Sequence, residues 1–205
     1  MIAIIDYGLG NVSAFVNIYD RLGIPARSVA TIKGLESASH FILPGVGSFD
    51  TAIDRLNASG LRDVLEKRVM TDNVPILGVC VGMQLLGLRS EEGIGKGLGW
   101  IRGHIKNFRT CCDTSETRKF PHVGWNTVAF QENELSAVNP SCMQRFYFLH
   151  SFIFVPENDD HVIATTFHEC NFASALKNEN IFGVQFHPEK SHQQGVELLK
   201  NFGKI

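Results

Sequence analysis

The segment PILGVCVGMQLLG, residues 75–87, sets Cys80 between Gly78 and Gly82, and the segment IFGVQFHPEKS, residues 181–191, carries His187 and Glu189 separated by one proline. A thiol, an imidazole and a carboxylate are the parts of a cysteine hydrolase: the thiolate attacks an acyl carbon, the imidazole moves the proton, and the carboxylate orients the imidazole. Gly78, Cys80 and Gly82 have the spacing of the nucleophile elbow G-x-S-x-G with sulfur in place of oxygen. In that elbow glycines permit the sharp strand-to-helix turn that leaves the nucleophile projecting from the sheet. A helix following Cys80 adds a positive N-terminal field that favours thiolate over thiol. On this stretch alone a second reading stays open, because a buried cysteine often only fills core space.

Residues 181–186 read as a strand that delivers His187. In extended backbone, positions two apart point to the same side, and Pro188 restrains the residue between them. Glu189 is therefore expected to hold one ring nitrogen of His187 while the other faces Cys80. The pair His-x-Glu also occurs in zinc deaminases, but those need a downstream P-C-x-x-C, and the last cysteine here, Cys170, lies upstream. A solvated loop is the plainer alternative for HPEKSH. Among eight histidines only His187 joins a strand end to a nearby carboxylate; His40, His104, His161, His168 and His192 read as structural or solvated. Acyl transfer also needs donors for an oxyanion, and the Val81 N–H and the glycine turn LPGVGSF, residues 43–49, can supply them.

The elements that position these groups follow from periodicity. Apolar runs at 2–5, 40–43 and 76–79 alternate with helical segments at 12–22, 61–69 and 83–88, which argues for crossover units on a parallel sheet. Beyond GLGWIRGHIKNF the runs at 123–130, 145–149, 152–155, 162–167 and 172–176 are short, aromatic and β-branched, and read as antiparallel additions to that sheet. Residues 194–202 read as a closing helix. A length of 205 residues leads us to expect one domain, 1–205.

Bulk properties remove several function classes. A net charge of −2 and a pI near 6.4 leave no electrostatic footprint for nucleic acid or an anionic membrane. The opening MIAIIDYGLGN has no basic region before its apolar run and reads as a first strand, and the apolar stretch 76–88 is too short to span a bilayer, so a cytoplasmic protein is expected. DYGLGNVS has Ser13 where a dinucleotide fingerprint needs glycine, and EEGIGKGLG has Gly97 where a P-loop needs Ser or Thr, so neither is read as a phosphate loop. The five cysteines argue against a disulfide framework; Cys111, Cys112, Cys142 and Cys170 have no C-x-x-C spacing, are expected to stay reduced, and support no zinc site.

In this order, PGVGSF, GVCVGMQ and FHPEKS resemble the class I, triad-type glutamine amidotransferases. IDYGLGN, ILPGVGSFD, SEEGIGKGLGWI, FPHVGWN, YFLHSF and LLKNF extend the resemblance over nearly the whole chain. It implies an α/β fold, flavodoxin-like and doubly wound, with a mostly parallel central sheet and antiparallel additions. It implies Cys80 as nucleophile, His187 as acid and base, Glu189 as its orienter, and an oxyanion hole from Gly45, Val46, Gly47 and the Val81 N–H. Gln84, Glu92, His150, Ser151 and Phe152 match positions that line a glutamine site; Glu92 suits the α-ammonium, and Ser151 with nearby backbone suits the α-carboxylate. Neither metal nor organic cofactor is implied.

Ammonia freed into neutral water becomes mostly ammonium, so the resemblance also implies a second subunit to receive it. That partner is a (β/α)₈-barrel synthase or cyclase bound as a heterodimer, met through Asn11, Trp125, Asn126 and Lys190, although Trp125 alone would read as core. Low activity without the partner is expected, from a flipped PGVGS turn. GVCVGMQ stands where GICLGMQ is frequent, and HSF where the last residue is often tyrosine. These changes leave the acceptor open, including a sugar in surface-polysaccharide biosynthesis. Two rivals also stay open: a cysteine peptidase or amidase indifferent to glutamine, and a flavodoxin-like binding module indifferent to loss of Cys80.

Overall fold

Every residue of β1 (Ile2–Ile5) is buried, as an apolar run must be inside a parallel sheet covered on both faces. The computed structural model describes residues 1–112, 120–135 and 144–205. From β1 the chain runs through α1 (Val12–Arg21), β2 (Ala26–Val29), α2 (Ile32–Glu36), β3 (His40–Gly45), α3 (Phe49–Ala58), α4 (Arg62–Met70), β4 (Ile76–Cys80) and α5 (Val81–Leu85). It continues through β5 (Arg89–Ser90), β6 (Gly103–Asn107), α6 (Phe108–Cys111), β7 (His122–Phe130), β8 (Gln144–His150) and β9 (Phe152–Pro156). Then come β10 (Val162–His168), β11 (Cys170–Asn178), β12 (Ile181–Val184), a 3₁₀ turn at Pro188–Lys190, and α7 (His192–Phe202).

The nine-stranded sheet has the order β2-β1-β3-β4-β12-β11-β10-β7-β8. Its first five strands are parallel and reproduce the 2-1-3-4-5 order of flavodoxin-like sheets, with β12 in fifth place. The other four are antiparallel additions. Phe15 and Tyr19 of α1 are fully buried, and the Tyr19 hydroxyl donates to the Leu199 carbonyl at 2.9 Å, tying α1 to α7.

Three expectations are corrected. The run at 152–155 joins a separate three-stranded sheet, β5-β6-β9, because β6 offers it an antiparallel edge; β6, with alternating burial, is itself absent from the sequence reading. The helix expected at 83–88 is Val81–Leu85 and ends early. A Cβ on Gly87 would lie 2.6 Å from Ile105, and the Leu88 N–H already bonds the Gly103 carbonyl. Cys112 and Cys170 form a disulfide across 58 residues, with Cα atoms 5.6 Å apart, because the end of α6 meets the start of β11, a tertiary contact on which sequence spacing is silent. Cys111 is free, and Cys142 lies outside the described residues.

Candidate active site

Register brings the reactive groups to one rim. Gly45 at the end of β3 pairs with Cys80 at the end of β4, Val79 pairs with Val184 at the end of β12, and His187 follows three residues later. Cys80 has φ +54° and ψ −113°, a conformation that costs a non-glycine residue of order 1–3 kcal/mol and marks sites where geometry is imposed. The flanking glycines impose it. A Cβ on Gly78 would lie 2.6 Å from the Gly82 carbonyl oxygen, one on Gly82 would overlap the Leu43 carbonyl, and one on Gly45 would overlap the Gly82 nitrogen. The start of α5 thus drops against β3 and β4, and the sulfur is turned out.

His187 meets Glu189 through a 3₁₀ turn rather than the extended backbone expected from the sequence. Pro188 fits the first position of that turn because its fixed φ and missing N–H suit it. His187 Nδ1 lies 2.9 Å from Glu189 Oε1, and each side chain is only 3% exposed. Glu189 Oε2 is buried without a hydrogen-bond partner among the described residues, so the carboxylate directs its charge at the imidazole. The His187 N–H donates to the Tyr147 carbonyl at 2.8 Å, while Ser191 Oγ donates to the His187 carbonyl at 2.6 Å and accepts the Tyr147 N–H at 3.0 Å. Burial opposes a charged ring, but hydrogen bonds to Cys80 and Glu189 and the negative charge on both outweigh it, raising the His187 pKa to about 9. A ring that favours its protonated form stabilises negative charge placed beside it.

A cleft of ≈ 280 Å³ opens at this rim. Cys80 and His187 line it together with Val46, Gly47 and Val81 of the expected oxyanion hole, and with Gln84, Glu92, His150, Ser151 and Phe152. Gly45 and Glu189 sit behind the lining. Glu92 Oε2 accepts the Phe49 N–H at 2.7 Å, which ties this carboxylate to the start of α3. Asp50, on α3, accepts the Ile94 and Gly95 N–H groups at 3.0 and 2.9 Å. This pins the loop after Glu92 and accounts for Gly93 and Gly95, where an added Cβ would lie within 2.8 Å of Asp50.

His150 is spent inside the protein. Its Nδ1 lies 2.9 Å from the Phe152 carbonyl and its Nε2 lies 2.9 Å from His122 Nδ1, while Asn126 Nδ2 lies 3.2 Å from His122 Nε2. A carbonyl only accepts, so Nδ1–H of His150 donates to it, His122 Nδ1–H donates to His150, and Asn126 donates to His122. Both rings are neutral: burial and then the neighbouring imidazoles lower each pKa to about 3. No ring nitrogen of His150 remains for a ligand. His168 stacks on His122 with centroids 4.0 Å apart.

The four expected interface residues divide. Trp125 is 39% exposed, not core, and stacks flat on His192. Lys190 lines the cleft with Nζ 5.9 Å from the Tyr147 ring centre, and Asn11 is exposed at the start of α1. Asn126 instead turns inward, to His122 and to the Phe167 carbonyl at 2.8 Å. Exposed Val123 and Leu149 form a cross-strand pair beside Trp125 and Tyr147, giving the cleft mouth an apolar flank. Sequence reading missed His122, Gln185 and Ser191; Gln185 is signalled as a polar residue inside the apolar run IFGVQF, whereas Ser191, within HPEKSHQQ, carries no such signal.

The chain matches the family model described as "Glutamine amidotransferase class-I" over residues 3–205. It is 48% identical to "Imidazole glycerol phosphate synthase subunit HisH" of Bdellovibrio bacteriovorus over 205 residues, covering 100% of both chains. Against the subunit of the same name from Leptospira interrogans it is 46% identical, again over 100% of both. A solved structure entitled "Crystal structure of glutamine amidotransferase" superposes with a TM-score of 0.74 at 16% identity, covering 100% of this chain and 99% of that one. "Structure of PurLQS from Thermotoga maritima" gives 0.73 at 18%, covering 98% and 96%. These two likenesses concern the fold.

Proposed function

This chain belongs to the class-I glutamine amidotransferase family, and on that premise we propose that Cys80, His187 and Glu189 hydrolyse the side-chain amide of glutamine. The chain acts as the glutaminase subunit of an imidazole glycerol phosphate synthase, in histidine biosynthesis. The observation that carries the catalytic assignment is the buried His187–Glu189 pair, 2.9 Å apart, on the same rim as Cys80.

The Cys80 thiolate adds to the carboxamide carbon, and the carbonyl electrons move to an oxyanion held by backbone N–H groups of Val81 and the Gly45–Gly47 turn. Collapse expels the amine, which takes its proton from His187 and leaves as ammonia, with a γ-glutamyl thioester on sulfur. Water then adds, giving a proton to His187, and expulsion of the thiolate yields glutamate. Glu92 binds the substrate α-ammonium and Ser151 the α-carboxylate. Nothing in this sequence of steps calls for a metal or organic cofactor.

Ammonia passes to a HisF-like (β/α)₈-barrel cyclase held as a heterodimer partner on the face of Asn11, Trp125 and Lys190. A cytoplasmic location suits this biosynthetic role; no helix among the described residues is long and apolar enough to cross a membrane. The relatives give no support to a sugar as acceptor.

Labelling tests the reading. 6-Diazo-5-oxonorleucine, a glutamine-shaped electrophile, is expected to add to Cys80, as peptide mass analysis would show, and glutamine is expected to block it. Labelling of Cys111 instead, or labelling indifferent to glutamine, contradicts the assignment and favours a general cysteine hydrolase.

A further inference from the structure

The sulfur of Cys80 has a polar neighbour besides His187. Gln185, one residue beyond β12, is 0% exposed, and its Nε2 lies 3.7 Å from Cys80 Sγ. Its Oε1 accepts from Gln84 Nε2 at 3.1 Å, and Gln84 Nε2 also donates to the Phe152 carbonyl at 3.2 Å.

One orientation of both amides satisfies all three contacts. A thiolate and a carbonyl only accept, so Gln185 must present N–H to sulfur and Gln84 must present its NH₂ to the Phe152 carbonyl. The Gln185 oxygen then faces the second N–H of Gln84. On its other side Cys80 Sγ lies 3.8 Å from the Leu149 carbonyl. That oxygen suits a neutral S–H and repels a sulfur anion, whereas the Gln185 amide suits the anion.

We propose that Gln185 is a further catalytic residue, whose amide N–H holds the Cys80 thiolate and whose own orientation Gln84 fixes. The inference rests on the glutaminase reading above. The amide acts twice: it holds the sulfur anion that attacks, and it receives that anion again when the C–S bond of the thioester breaks and its electron pair returns to sulfur. Gln84, having both N–H groups committed, offers glutamine only its amide oxygen.

Gln185→Leu tests this in the complex with the cyclase subunit. Glutamate release is expected to lose about 10- to 100-fold in kcat, the worth of one hydrogen bond to a charged group, with KM for glutamine nearly unchanged. Carboxamidomethylation of Cys80 by iodoacetamide at neutral pH, read by peptide mass, is expected to slow with it. Unchanged kcat and unchanged alkylation overturn the proposal, while absence of glutaminase activity in the parent complex overturns the underlying reading instead.

Gln185→Met keeps the volume, offers sulfur no N–H, and serves if the leucine variant does not fold. It is expected to lower kcat and slow alkylation at neutral pH as the leucine variant does, and parent-like values of both overturn the proposal. Tyr7, Glu92, His150, His187, Glu189 and Lys190, the other titratable groups around sulfur and cleft, are common to parent and variant.

Discussion

Cys80 and Glu189 together hold the proton on His187 against the cost of its burial. With the folded pKa raised to about 9 from an unfolded value of about 6.5, the ring's contribution to stability is complete below about pH 6.5 and is lost as pH rises through 9. Glutaminase activity should therefore fall on the alkaline side as His187 gives up the proton it must donate to ammonia. Glu189→Gln should move that limb to lower pH and cost roughly 10²- to 10⁴-fold in kcat; a pH–rate profile of parent and variant checks both. Cys80, His187 and Glu189, the proposed triad, drew notice in the sequence because thiol and imidazole follow apolar runs and stand beside glycine or proline. Gln185, His122 and Ser191 could not, since each gains its meaning from a tertiary partner, as many as 105 residues away for Gln185 and Cys80.

Elements place these groups through close backbone contacts that only glycine permits. Gly195 in α7 lies so near the turn carrying Glu189 that an added Cβ would overlap the Pro188 carbonyl. Helix propensity alone favours alanine there by about 1 kcal/mol, but the overlap is with backbone, which cannot turn aside as a side chain can. Gly195→Ala is therefore expected to lower both the melting temperature and the glutaminase activity, measured by thermal denaturation and glutamate release. A gain in melting temperature would show that propensity wins. The parallel strands β1, β3 and β4 were readable because each is an unbroken apolar run. The edge strand β2 has only Val29 buried, and β9 left the main sheet for a partner, β6, whose alternation in GHIKN is weak. Helix α3 escaped notice although Phe49, Ala52, Ile53 and Leu56 are buried at helical spacing behind the Ser48 cap.

At the scale of the whole molecule, the neutral pair His122–His150 joins β7 to β8 and makes folding sensitive to acid. Both folded pKa values, about 3, lie below the unfolded value, so between about pH 6.5 and 3 the unfolded chain binds more protons and stability falls as pH falls. Each proton taken up only on unfolding contributes a slope of about 1.4 kcal/mol per pH unit. Urea unfolding across that range should show the slope, and His122→Gln should flatten it. The opposite face of the β7–β8 ribbon presents Trp125, Val123 and Leu149 outward. The central claim, that the Cys80 sulfur breaks the glutamine amide, is tested most directly by measuring glutamate release from the complex carrying Cys80→Ala. Release should fall to background while the cyclase still uses added ammonium salts; release at the parent rate would contradict the claim.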